Sequence, residues 1–147
     1  MPQLERVAKV TIFHYRKPGL SAEEFYRRMN EDFIPLGLPI INRYKILKFA
    51  ISHSPAWLRD QAADAVAAKG WTLSDYDGSF EYWVRDVDEI KRGLMADPDW
   101  IGKVGKFDSE VGDADRALVT VSFEEVYVEN EKIVNVVDGK SVFPVTK

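Results

Sequence analysis

The sequence predicts an α+β domain of the ferredoxin-like kind, built as β-α-β-β-α-β with a helical insert, on three observations. Segments of period-two alternation and segments of three-and-four spacing follow one another in the order β-α-β-(insert)-β-α-α-β. Pro-Gly, Ser-Pro and Asp-Pro pairs punctuate those segments where elements should stop or start. The 147 residues are enough for one domain, taken as 1–147, with a real core.

Residues 5–15 read as strand one, with Ala8, Val10, Ile12 and His14 on one face and Lys9, Thr11, Phe13 and Tyr15 on the other. Pro18-Gly19 breaks it. Ser21 and Glu24 form an S-x-x-E capping box, and Phe25, Met29, Phe33 and Leu36 supply the buried stripe of helix one. Pro35 and Pro39 are expected to end that helix. Strand two covers 43–53, with Tyr44, Ile46 and Lys48 opposite Lys45, Leu47, Phe49, Ile51 and His53. Ser54-Pro55 opens a short Ala-rich helix that runs to Gly70. SFEYWV is strand three. Asp86 and Glu89 cap a second main helix, and Asp97-Pro98 restarts helical structure with Trp100, Val104 and Phe107 in phase. Strand four covers 117–128, and Asp138-Gly139 signals a type I′ hairpin in the tail.

This topology predicts the spatial strand order 4-1-3-2, with strands one and two parallel and the other two running against them. The C-terminal ends of strands one and two then lie beside the N-terminal ends of strands three and four. That end gathers His14, Tyr15 and Arg16 with His53, with Asp75, Tyr76 and Asp77, and with Asp113, Asp115 and Arg116. The insert, 55–75, leaves and returns there and is placed to act as a cover. His14 and His53 sit on the more apolar faces of their strands, which should pack on the helices. The opposite faces carry enough apolar residues to suggest a second sheet, hence a homodimer through the sheet face.

The composition excludes several classes. A net charge of −4 lacks the concentrated positive patch of a nucleic-acid binder or a polybasic membrane anchor. No apolar run approaches the ~20 residues that span a bilayer. The N-terminal MPQLERVAKV carries charges where a secretory leader would be apolar. The absence of cysteine from the sequence removes disulfides, thiol nucleophiles and iron–sulfur ligands together, and a cytoplasmic protein is expected. P-loop, G-x-G-x-x-G, H-E-x-x-H and G-x-S-x-G patterns are missing. What is left is acid–base chemistry by His, Asp, Glu and Tyr without a cofactor; a metal site of both histidines and Asp77 is the minor alternative, with no spacing motif behind it.

The chain has two histidines, and histidine is the side chain whose ordinary pKa, ~6.5, lies near neutrality. His53 and His14 are therefore the first catalytic candidates, with Asp77 and Tyr76 as partners. A strand-end histidine bonded to a backbone carbonyl, and turn chemistry for Asp75 to Asp77, are the bland alternatives. The eighteen aromatics, 8 Phe, 6 Tyr and 4 Trp, suit a ring-lined pocket as well as a core. Phe25, Tyr26, Met29, Phe49, Trp71 and Trp100 are its candidate lining. Phe25, Tyr26 and Met29 are most simply core, although Tyr26 lies off the main stripe with its hydroxyl within reach of the pocket edge, and Trp57 and Trp71 would serve equally as anchors of the insert.

The stretches YRKPGLSAEEFYRRMNEDFIPL, YDGSFEYWVRDVDEI and FEEVYVENEKI, within residues 5–133, resemble the EthD-domain family of the dimeric α+β barrel superfamily. The likeness is to its fungal members from aromatic polyketide gene clusters. It implies a subunit that dimerises through its sheet, and cofactor-free lyase chemistry on a polyketide, losing carbon dioxide or water. Many relatives carry a histidine where this chain has Phe33, two residues before Pro35. A plant polyketide cyclase of the superfamily has its catalytic histidine after an H-P pair, where DPDW places Trp100. These departures move the expected catalysis from aldol cyclisation toward His14 and His53; for loss of water His53 would be the base and His14, or a nearby Tyr, the acid. A cyclase or isomerase of the superfamily, and a non-catalytic small-molecule binding protein, are the alternatives.

Overall fold

In the computed structural model, which describes residues 6–145, the elements follow the predicted order. They are β1 (Ala8–His14), α1 (Ala22–Arg28), α2 (Ile34–Ile41), β2 (Ile46–His53), α3 (Ala56–Ala68), β3 (Gly78–Val84), α4 (Gly105–Val111) and β4 (Leu118–Phe123). The four strands form one antiparallel sheet in the order β2-β3-β1-β4, the ferredoxin-like arrangement. Helices cover one face. Among the described residues no helix is long and apolar enough to cross a membrane.

Ser21 caps α1 by accepting from the Glu24 N–H at 3.1 Å. The return half of the capping box is not made, because Arg27 holds the Glu24 carboxylate at 2.6 and 2.9 Å. Pro35 and Pro39 do not end the first helix, which continues to Ile41. A π-helical turn, Met29–Phe33, lies between α1 and α2. Glu31, whose carbonyl the Pro35 ring would strike in a regular α-helix, sits inside that widened turn. The π turn thus carries the chain past the proline. A second π turn, Glu89–Gly93, a 3₁₀ turn, Leu94–Ala96, and a third π turn, Trp100–Val104, build the second helical layer ahead of α4.

Phe33 is the centre of the core, fully buried against Phe80 (ring centroids 4.4 Å), Phe107 (5.8 Å), Phe49 (6.1 Å) and Trp100 (6.1 Å). Its ring lies so close to Gly37 that a Cβ there would meet it at 2.5 Å, which is why that helical position is a glycine. Phe25 and Met29 complete the same core.

Two sequence expectations change. A bulge between Ile46 and Lys48 shifts the β2 register, so Ile46 packs on the core beside Tyr44 while Leu47 is exposed. The uncovered sheet face is accordingly more polar than alternation suggested. Lys9 bridges Glu81 and Glu124 there, and Lys9 and Lys48 flank the Trp83 ring. Strand four ends at Phe123 rather than at 128, and Val128 begins a separate small hairpin. The Asp138-Gly139 hairpin forms as expected, with both residues at positive φ.

Because Phe33 touches four other rings and is fully buried, Phe33→Ala should destabilise the fold by about 3–5 kcal/mol, measured by denaturant unfolding.

Candidate active site

The end of β1 is held from two sides. His14 O accepts from Asp77 N at 2.9 Å, and the Asp77 carboxylate takes Arg16 N at 2.8 Å and Arg16 Nη1 at 2.7 Å. On the other side the chain after β1 pairs with the end of α4. Lys17 N donates to Val111 O and Asp113 N to Tyr15 O, both at 2.8 Å, around an Arg16–Gly112 bridge. A Cβ on Gly112 would press on the Asp108 carbonyl at 3.1 Å. These bonds set α4 over His14.

Between them lies a cavity of about 230 Å³ lined by Ile12, His14, Phe80, Met95, Trp100, Asp108, Val119 and the 112–117 segment. The His14 ring meets the Phe80 ring edge-on, centroids 4.6 Å apart, and its buried Nε2 has no protein partner among the described residues. Burial lowers its pKa to about 4, so the imidazole is neutral over the physiological range. Asp108 enters from α4, and its carboxyl makes no hydrogen bond or ion pair within the described residues. Burial raises it to about 6. The Tyr82 hydroxyl is also buried without a partner, and the phenol is raised by burial and by the Asp108 charge. Tyr82 does not line the cavity; buried polar groups are satisfied in the great majority of cases, so the partnerless His14 and Asp108 side chains that do line it mark a place for a ligand.

His14 and His53 do share the sheet end predicted for them, since both are in register with Gly78. They do not share a pocket. The Phe25 ring lies over Gly78, with 3.4 Å to the position a Cβ would take, between the two histidines. His53 opens instead into a separate hollow of about 170 Å³ with Tyr26, Arg59 and Asp77. It stacks on Tyr26 at 4.0 Å, meets Asn30 Oδ1 at 3.2 Å, and is lowered by burial. The two histidines and Asp77 do not converge, and among the described residues no three His, Cys, Asp or Glu side chains are grouped to hold a metal.

The remaining candidates divide. Trp100 lines the His14 cavity, and Phe25 and Tyr26 line the His53 hollow. Met29 and Phe49 are core. Tyr76 packs edge-on against Phe13 at 4.8 Å, on the sheet face away from the helices. Trp71 is 69% exposed and Trp57 65%. The insert covers the His53 hollow through Pro55, Ala56 and Arg59 and stays clear of the His14 cavity; no residue of α3 is buried.

Trp100 is oriented by a residue outside the sequence candidates. Asp97, 6% exposed, accepts from Tyr44 Oη at 2.6 Å, from Arg43 Nη1 at 3.1 and 3.2 Å, and from the N–H groups of Asp99 (2.8 Å) and Trp100 (3.4 Å). This is an N-cap arrangement at the turn that carries Trp100.

The family profile described as EthD domain matches residues 17–107. This chain belongs to the EthD family. Among its relatives, the dehydratase iacD of Pestalotiopsis fici is 30% identical over 135 residues, covering 90% of this chain and 96% of that protein. The conidial pigment biosynthesis dehydratase EthD of Metarhizium robertsii is 26% identical over 133 residues, covering 90% and 93%. The decarboxylase dmxR15 of Cryptosporiopsis sp. is 26% identical over 119 residues, covering 80% of each. Both activities named are those of lyases. The crystal structure of PA3566 from Pseudomonas aeruginosa superposes with a TM-score of 0.50 at 9% identity, over 86% of this EthD chain and 100% of that one, a likeness of fold.

The hydrogen bond from Tyr44, with those from Arg43 and two backbone N–H groups, holds the Asp97 carboxyl down at about 2. Its contribution to stability is therefore complete above the ordinary carboxylate pKa of ~4 and is lost as pH falls through about 2. Asp97→Asn should lower the thermal midpoint at neutral pH, and the gap to the unmodified protein should narrow as pH drops from 4 toward 2, followed by circular dichroism.

Proposed function

We propose that this EthD-family chain is a cofactor-independent lyase that removes water from an aromatic polyketide ketone, with His14 as the base. One observation carries the reading: an uncharged imidazole in an apolar, ring-lined cavity, with a buried nitrogen that no protein group engages. A neutral imidazole can accept the proton of a carbon beside a carbonyl, and such a transfer is typically worth ~10²–10⁴-fold. The base is His14 rather than His53 because His14 shares its cavity with Trp100 and Phe80, whereas His53 is occupied by Tyr26 and Asn30. A cavity of roughly 150 Å³ accommodates benzene. The larger cavity here, about 230 Å³, takes a bicyclic core, with further rings leaving through the mouth at Met95 and Val119.

Loss of carbon dioxide is the second reading, supported by the decarboxylase named among the relatives. A largely apolar cavity favours it too, since a delocalised transition state suffers less from desolvation than a carboxylate. Loss of water comes first because the relative that is 30% identical is named a dehydratase, while the decarboxylase above is 26% identical.

The assembly we propose is a homodimer. Every residue of the edge strand β4 is exposed, Leu118 toward the uncovered face and Val119, Val121 and Phe123 toward the helical side. A bare apolar edge of this kind is normally covered in a soluble protein. A sedimentation mass near twice the 16.8 kDa of the chain is expected; a mass near 16.8 kDa would exclude the dimer.

His14→Ala should retain the fold and lose turnover by ~10²-fold or more. The rate profile should lack a histidine limb between pH 5 and 8, because His14 titrates near 4. Mass spectrometry of the product separates loss of water from loss of carbon dioxide. Binding without any turnover by the unmodified chain would leave only a small-molecule binding protein.

A further inference from the structure

We propose that Asp108 is the general acid of the reaction, facing His14 across the cavity and protonating the leaving hydroxyl. This rests on the lyase reading above and adds to it a second reacting group. Three observations support it, each independent of the others.

The first is placement. Asp108 comes from α4 and His14 from β1, and both line the same cavity. The backbone pairing of Tyr15–Lys17 with Val111–Asp113 fixes one element against the other. Such a fixed pair from two elements is what an elimination requires, since the proton leaves one carbon and the hydroxyl another.

The second is the lack of a competing role. Carboxylates facing a core are normally bound by a cation or by N–H donors, as Asp97 is. The Asp108 carboxyl has neither among the described residues. Arg28, the cation that α1 presents over the neighbouring Phe107, is taken by Asp32 and Glu110. His14 from β1, Tyr82 from β3 and Asp113 from the following loop are the other titratable groups around it. None of them is a fixed positive charge at neutral pH.

The third is its protonation. Burial raises Asp108 to about 6 while lowering His14 to about 4, so between those values the carboxyl holds a proton and the imidazole does not. That is the pairing an acid and a base need, produced by desolvation alone.

The step balances within this pair. His14 takes the proton from the carbon beside the ketone, and those electrons form the carbon–carbon double bond. The carbon–oxygen bond to the neighbouring hydroxyl breaks, and the Asp108 proton joins the departing oxygen as water. The imidazolium then returns its proton to the carboxylate, directly or through that water, and both groups are reset.

The test uses the full chain and β-hydroxytetralone, a bicyclic β-hydroxyketone whose dehydration gives fluorescent α-naphthol. Asp108→Asn keeps the shape and removes the transferable proton. It should cut turnover by ~10²–10⁴-fold and abolish the fall in kcat/KM above about pH 6 expected of the unmodified chain. Probe binding, read by quenching of tryptophan fluorescence, should stay within about threefold, an effect below 1 kcal/mol. Asp108→Glu should recover part of the rate and restore a high-pH limb. Thermal unfolding of both variants separates loss of chemistry from loss of fold; if Asp108→Asn is unfolded, the presence or absence of that limb in the unmodified chain and in Asp108→Glu decides. Turnover by Asp108→Asn within threefold, with the limb unchanged, overturns the acid role while His14→Ala still reports on the base. No acceleration by the unmodified chain overturns the lyase reading and the acid together.

Discussion

Everything proposed for the cavity depends on one short stretch of backbone pairing, between the chain leaving β1 at Tyr15–Lys17 and the chain leaving α4 at Val111–Asp113. A β-strand and a helix that follow one another at such distance in sequence have no local reason to hold a fixed offset. Two N–H···O bonds of 2.8 Å and the close approach at Gly112 impose it. The pairing sits at the sheet end, where side chains can face a cavity without breaking the ladder. It therefore positions His14 and Asp108 through rigid elements rather than through mobile loops.

Around that fixed end, the core decides which residues are free to react. Phe33 is the ring that joins Phe49, Phe80, Trp100 and Phe107. A titratable group there would be desolvated among four aromatics, and a phenyl ring meets no such cost. Phe80 then faces His14, and Trp100, capped by Asp97, closes the cavity from the second helical layer. The same packing that stabilises the fold thus supplies the low-polarity wall that shifts His14 and Asp108.

The strand order, the two helical layers and the sheet end where both histidines lie were legible from alternation, capping and topology. The bulge at Ile46–Lys48 was not, because one extra residue leaves the alternation of residues on either side intact while inverting its phase. The persistence of the first helix through Pro35 was hidden for a related reason: a π turn alters the carbonyl geometry without a signature in residue type. The separation of His14 from His53 depends on the single ring of Phe25 above Gly78, a tertiary contact with no trace in spacing. Asp108 is different. It falls four residues after Val104 and three before Val111, both buried, so helical phase alone put a carboxylate on the inward face. The signal was present and outweighed by the turn aspartates Asp75 and Asp77, which pair with Arg116 and Arg16.

Proton counting shows why such a pair can persist in a core. Between pH 4 and 6 an unfolded chain carries this histidine protonated and this aspartate ionised, since their ordinary values lie near 6.5 and 3.8. The folded chain carries the reverse, with a neutral imidazole beside a neutral carboxyl. Each state holds one proton on the pair, so folding moves a proton from one group to the other without net uptake or release. The two opposed shifts cancel in the pH dependence of stability over that window, although each alone would tilt it. Above pH 6 Asp108 is ionised in both states, and stability rises until the histidine of the unfolded chain has also lost its proton near 6.5. A buried ion pair would instead require both charges to leave water. Two neutral groups avoid that desolvation, and the absent protein partners leave both of them open to whatever enters the cavity.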